Sequence, residues 1–142
     1  KVNNYQGGLW IIDRIVITDE NKPKSTYSLV TKYRKQLLKG SIADDVKQKI
    51  FDIANTRGYE IIAMETDKDH IHFLLSYDTT NRICDIVKTV KQETTYYLWQ
   101  KYNSFLLKQY WKKKIFWSDS YFACSIGEVS SATIQKYIES QG

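Results

Sequence analysis

Thiol chemistry is nearly absent from this sequence: Cys84 and Cys124 stand 40 residues apart, no CxxC pair occurs, and the chain has only two histidines. A closed zinc site needs four such donors, and a disulfide-stapled secreted domain needs several paired cysteines, so the pattern favours reduced thiols in a cytoplasmic protein. Proline occurs once, at Pro23, and glycine six times. They fall between stretches of consistent periodicity, and no internal repeat or low-complexity segment interrupts the chain. No apolar run approaches the roughly 18 residues of a membrane span. The first ten residues, "KVNNYQGGLW", lack the charged-then-apolar layout of a signal peptide. No membrane partner is expected.

What the chain does have is enough apolar material for one core. Its 142 residues are 42% hydrophobic and 14% aromatic, which suits a single domain. Basic residues outnumber acidic ones by 21 to 16, for a net charge of +5. That modest excess suits a polyanionic partner.

Periodicity orders the elements. "LWIIDRIVIT" (9–18) reads as a strand, "NKPKS" as a turn, and "TYSLVTKYRKQLL" (26–38) as a second strand with a basic end. From Ser41, an N-cap candidate, Ile42, Val46, Ile50, Phe51 and Ile53 recur at helical spacing up to Gly58. "YEIIAMETD" (59–67) and "HIHFLLSY" (70–77) read as antiparallel strands around the polar "DKD". A second helix over 81–102 places Ile83, Ile86, Val87, Val90, Tyr97 and Leu98 on one stripe. After a connection rich in lysine and aromatics come a strand over 120–127 and a terminal helix over 130–142. This order predicts an α+β fold: a split βαβ sandwich of the ferredoxin or RRM kind with an antiparallel sheet, plus a C-terminal helix.

Both histidines sit in one strand, as "DKDHIHFLLSY" (67–77). Alternation sends His70 and His72 to one face and Ile71 and Phe73 to the other. Two neutral imidazoles on one face can converge on a metal ion. Asp67 and Asp69 are near enough to join them, although aspartate is equally good turn chemistry. The plain alternative is a pair of half-buried histidines that only hydrogen-bond to neighbours.

"METDKDHIHFLLSY" resembles the histidine, hydrophobic, histidine motif of the HUH nucleases, and more narrowly the single-tyrosine transposases of hairpin-ended insertion sequences. A second stretch, "WSDSYFACSIGEVSSATIQKYIESQ" (117–141), resembles the family's strand, glycine and nucleophile-bearing helix. Tyr137 fills the catalytic position, and Gln141, four residues on, the position that joins the two histidines around a metal. The resemblance runs from about Gly40 to the end. It implies one transposase domain over 1–142, with N-terminal strands in 1–39, a core over 40–127 and a catalytic helix over 128–142. It also implies cleavage and rejoining of single-stranded DNA through a 5′-phosphotyrosine, hairpins as the recognised DNA, and a homodimer whose composite sites form in trans. The implied ligand set of His70, His72 and Gln141 suits Mg²⁺ or Mn²⁺ better than closed zinc coordination.

Two basic clusters are candidate DNA contacts. "LLKQYWKKKIFW" (106–117) mixes Lys108, Lys112, Lys113 and Lys114 with Tyr110 and Trp111, and "KYRK" adds Lys32, Arg34 and Lys35. Lysines meet phosphates while rings stack on unpaired bases. For each ring the simpler alternative is an anchor to the core. Related readings share the motif with a different substrate: a domesticated palindrome-associated transposase or an HUH replication initiator. A non-enzymatic one is an RRM-like module that binds single strands.

Overall fold

The computed structural model describes residues 22–111 and 113–126 throughout, together with the strand backbone of 2–6 and 9–12. A six-stranded antiparallel sheet runs in the order β1-β2-β4-β5-β3-β6. Its strands are β1 (Val2–Gln6), β2 (Leu9–Ile12), β3 (Lys24–Thr31), β4 (Glu60–Asp67), β5 (His70–Ser76) and β6 (Trp117–Ile126). Helix α1 (Gly40–Arg57) links β3 to β4; α2 (Ile83–Lys101) and the short α3 (Asn103–Gln109) link β5 to β6. The four strands β4-β5-β3-β6 with α1 and α2 are the expected split βαβ arrangement. The β1-β2 hairpin is an addition, paired onto β4 at Leu9–Glu65, Trp10–Met64 and Ile11–Ala63.

Each helix follows from its apolar spacing. In α1, Ile42, Val46, Ile50 and Ile53 are buried, one face at intervals of three and four. Gly58 ends the helix at φ 81, donating its N–H to the Ala54 carbonyl, a left-handed cap that glycine enters without a Cβ penalty. The start differs from expectation: the helix begins at Gly40 and no side chain caps it, so Ser41 is not the N-cap. In α2, Ile86, Val87, Val90, Thr94, Leu98 and Trp99 are buried.

Period two in the strands divides the sheet into two faces. Tyr27, Leu29, Ile71 and Phe73 are fully buried in the helix-covered core. Tyr27 and Phe73 stack there, with centroids 4.9 Å apart and planes 11° from parallel. Phe73→Ala removes a buried ring and its stacking partner's contact. The expected loss is about 3–5 kcal/mol, read as a lower urea midpoint with an unchanged slope.

Three expectations are corrected. The strand over 26–38 stops at Thr31, because "KYR" leaves the sheet in a short 3₁₀ turn, Lys32–Arg34. Since β3 lies between β5 and β6, the core begins at Lys24 rather than at Gly40. The connection before the last strand is partly helical as α3, and β6 starts at Trp117, three residues before 120. Both cysteines are exposed and unpaired in the fold. Among the described residues no helix is long and apolar enough to cross a membrane.

Candidate active site

His70 and His72 occupy the sheet face turned away from α1 and α2. Cross-strand register sets Val30 and Asp67 beside His70, and Ser28 and Glu65 beside His72. Both histidines are half-buried, while Ile71 between them has no exposure. Their ring centroids lie 4.7 Å apart and nearly perpendicular, at 77°. The strand thus brings two imidazoles together as its alternation requires.

The surroundings decide what the rings can do. His70 Nδ1 lies 2.7 Å from Asp69 Oδ1. An ionised carboxylate only accepts, so Nδ1 donates to it, and Nε2 is the ring nitrogen that Asp69 does not engage. The His70 hydrogen bond, helped by Arg34, holds the Asp69 carboxyl below its usual range. Arg34 Nη1 donates to Asp69 Oδ2 at 3.1 Å, completing a chain from guanidinium to carboxylate to imidazole. Burial, reinforced by His70, pushes His72 down, keeping its ring neutral and able to donate electrons to a cation. Burial and the neighbouring Asp67 charge push Glu65 up, against the pull of His70.

The two aspartates therefore part ways. Asp67 accepts the Lys68 backbone N–H at 2.8 Å, which is turn chemistry. Asp69 supports His70 from behind. Among the described residues no cluster of three or more His, Cys, Asp or Glu side chains could hold a metal alone. The donor set fits a divalent ion as two imidazoles of a larger set, not as a complete site. Tyr137 and Gln141 lie outside the described residues.

The lysine- and aromatic-rich stretch divides as well. Tyr110 is corrected as a base-stacking candidate: its ring is buried and its hydroxyl donates to the Lys32 carbonyl at 2.9 Å. Phe116 and Trp117 are buried too, and Trp117 Nε1 donates to Thr94 Oγ1 at 2.8 Å. Trp111, by contrast, is 73% exposed. Lys108, Lys113 and Lys114 are exposed, and Lys112 lies outside the described residues. Lys32 pairs with Asp119 at 3.2 Å, and Lys35 Nζ stands 5.9 Å from the centre of the Tyr110 ring.

The fold joins the two basic clusters that the sequence separates. Tyr110 links them through its bond to Lys32, and Lys32 N–H donates to the Phe116 carbonyl at 2.8 Å. The turn between them is strained: Tyr33 and Arg34 have φ of 62° and 51°, and left-handed geometry costs a non-glycine residue roughly 1–2 kcal/mol. Sequence reasoning missed both this turn and the Arg34–Asp69 pair. Neither has a local signal, because the partners are 35 residues apart and no glycine marks the positive φ.

Known proteins resemble this chain in sequence and in fold. A family model described as "Transposase IS200 like" matches residues 24–141. The chain is 40% identical over 110 residues to the ISDra2 transposase TnpA of Deinococcus radiodurans, covering 78% of this chain and 77% of that protein. A candidate transposase from Deinococcus radiodurans R1, solved at 1.90 Å, superposes with a TM-score of 0.68 at 32% identity, covering 84% of this chain and 91% of that one. A REP-associated tyrosine transposase, solved bound to a REP hairpin, gives a TM-score of 0.58 at 13% identity over 83% of this chain and 63% of its own. That last likeness is one of fold.

Proposed function

The chain belongs to the family of IS200-like transposases, and from that premise we propose that it cuts and rejoins single-stranded DNA at insertion-sequence ends through Tyr137. The observation that carries the reading is the convergent His70 and His72 pair, with Asp69 holding the first ring. Hairpins near the ends are the recognised DNA in this reading. Support for that part comes from the family and from the fold shared with a protein solved on a REP hairpin.

The chemistry is a transesterification. The Tyr137 oxygen forms a bond to phosphorus as the bond to the 3′ oxygen breaks; the phenol proton is lost and the 3′ oxygen gains one. The 5′-phosphotyrosine keeps the bond energy for rejoining, so no nucleotide cofactor is consumed. Free tyrosine titrates near 10, so the attack depends on a site that favours phenolate. His70 and His72, with Gln141, would hold Mg²⁺ or Mn²⁺. The ion would supply Lewis-acid polarisation of the phosphate and charge neutralisation at the leaving oxygen. Asp69 and Arg34 keep His70 in the tautomer and orientation that present Nε2. The test is a gel-stable covalent adduct between the protein and a hairpin-bearing single strand in the presence of Mg²⁺ or Mn²⁺. A hairpin that is bound while no adduct forms would leave the RRM-like binding module as the better reading.

A homodimer belongs to the same proposal. Among the described residues β6 pairs only with β3, so its outer edge is open, and it exposes Tyr121 and Phe122. Open edges of this length are normally blunted or covered, which supports a second copy at this strand. Phe122 is 61% exposed, so Phe122→Lys costs the monomer little. Light scattering should then report a shift from dimer towards monomer; an unchanged mass would move the interface elsewhere.

A further inference from the structure

We propose that Tyr33 and Trp111 form a stacking subsite for one unpaired base of the DNA strand, beside the phosphate to be held at His70 and His72. This deepens the reading above and rests on it for the position of that phosphate. A groove of about 480 Å³ opens between the turn after β3 and the segment after α3, lined by Lys32, Tyr33, Tyr110, Trp111 and Lys113 among others. Among the described residues no acidic side chain lines it. Tyr33 and Trp111 are each 73% exposed, and the Tyr33 ring stands 6.2 Å from that of Tyr110 with Lys32 Nζ 5.6 Å from its centre, so rings and lysine meet at one groove.

The backbone supplies an independent observation. Tyr33 and Arg34 adopt left-handed geometry in succession, and strain of this kind persists only where the surroundings impose it. Here they do. Thr31 Oγ1 donates to the Lys35 carbonyl at 2.7 Å, bridging the turn, and Thr31 N–H donates to the Asp69 carbonyl at 2.9 Å. On the other side the Tyr110 hydroxyl holds the Lys32 carbonyl. The result sends consecutive side chains to two tasks: Arg34 reaches Asp69, which holds His70, while Tyr33 stands at the groove. The strained turn therefore ties the groove to the candidate active site.

The occupant follows from the lining. Lys113, joined by Lys32 when a phosphate displaces its Asp119 partner, suits a phosphate, and two rings with most of their surface in solvent suit a nucleobase whose own face is uncovered. In a duplex those faces are stacked on neighbouring bases, so an unpaired nucleotide is selected over a stem. An acidic peptide would use the lysines and leave the rings idle.

The test measures binding of oligothymidylate and of a fully paired hairpin stem by fluorescence anisotropy at fixed salt. It uses the Tyr137→Phe background, so the result does not depend on whether the protein cleaves. Tyr33→Ala and Trp111→Ala should each weaken oligothymidylate binding about 5- to 150-fold and leave stem binding unchanged. Tyr33→Phe should keep the affinity. Tyr33→Gly separates function from fold: it relieves the positive φ and should raise the melting temperature while still losing affinity. Wild-type affinity in Tyr33→Ala and Trp111→Ala, or equal losses on single strand and stem, would overturn the proposal. So would retained affinity in a stabilised Tyr33→Gly protein. Failure of Tyr137 to form an adduct would leave these binding results standing and would count against the cleavage reading alone.

Discussion

Tyr137→Phe should reduce the covalent adduct by at least ~10³-fold, to background, because the substitution removes the only atom that bonds to phosphorus. The ring remains and only the hydroxyl is lost. Hairpin binding should stay near the wild-type level, which separates loss of chemistry from loss of fold. The chain has 11 tyrosines, so the assignment needs mapping as well as loss. A phosphotyrosine peptide from the wild-type adduct should contain residue 137. A linkage found on another tyrosine, such as the exposed Tyr33 or Tyr121, would sink the assignment while leaving the enzyme class intact.

What could be read from the sequence, and what could not, divides along a physical line. Where burial imposes a period, the residues announce their structure. Ile42, Val46, Ile50 and Ile53 mark α1, Gly58 ends it, and the His70–Phe73 alternation places two imidazoles opposite two core side chains. Where tertiary contacts decide, the sequence is silent. Tyr110, Phe116 and Trp117 have the composition of a single-strand binding surface, yet all three are buried, because α3 folds the connection back onto the sheet. Only Trp111 of that group stays out. Likewise "KYRK" reads as the basic end of a strand, whereas the hydrogen bonds of Thr31, Tyr110 and Asp69 force it into a left-handed turn. Asp69 itself reads as turn chemistry or a ligand. Its service to His70 depends on a strand-start geometry that Arg34 completes from another part of the chain.

The second large effect concerns the histidines and the arrangement of the two sites. His70→Ala/His72→Ala should abolish cleavage, since the chain has no other histidine, and hairpin binding should persist because neither ring serves as an anchor for the stem in this reading. Mixed with Tyr137→Phe protein, which is inactive for the complementary reason, the double variant reports whether sites form in cis or in trans. The last described residue, Ile126, ends β6, and "GEVSS" (127–131) follows it, leading to the segment that carries Tyr137. Tyr137 lies outside the described residues, so the mixing experiment decides whose histidines it serves. In a trans arrangement each mixed dimer has one good site, made from the His70 and His72 of one variant and the Tyr137 of the other. Random exchange of equal amounts makes about half the dimers mixed, so about a quarter of the wild-type site count should return. In a cis arrangement every site lacks either its histidines or its tyrosine, and activity stays at background. Exchange is checked with differently labelled subunits on the same hairpin. Labelled dimers that exchange and bind DNA without forming any adduct would overturn the trans sites and place each Tyr137 with the histidines of its own chain.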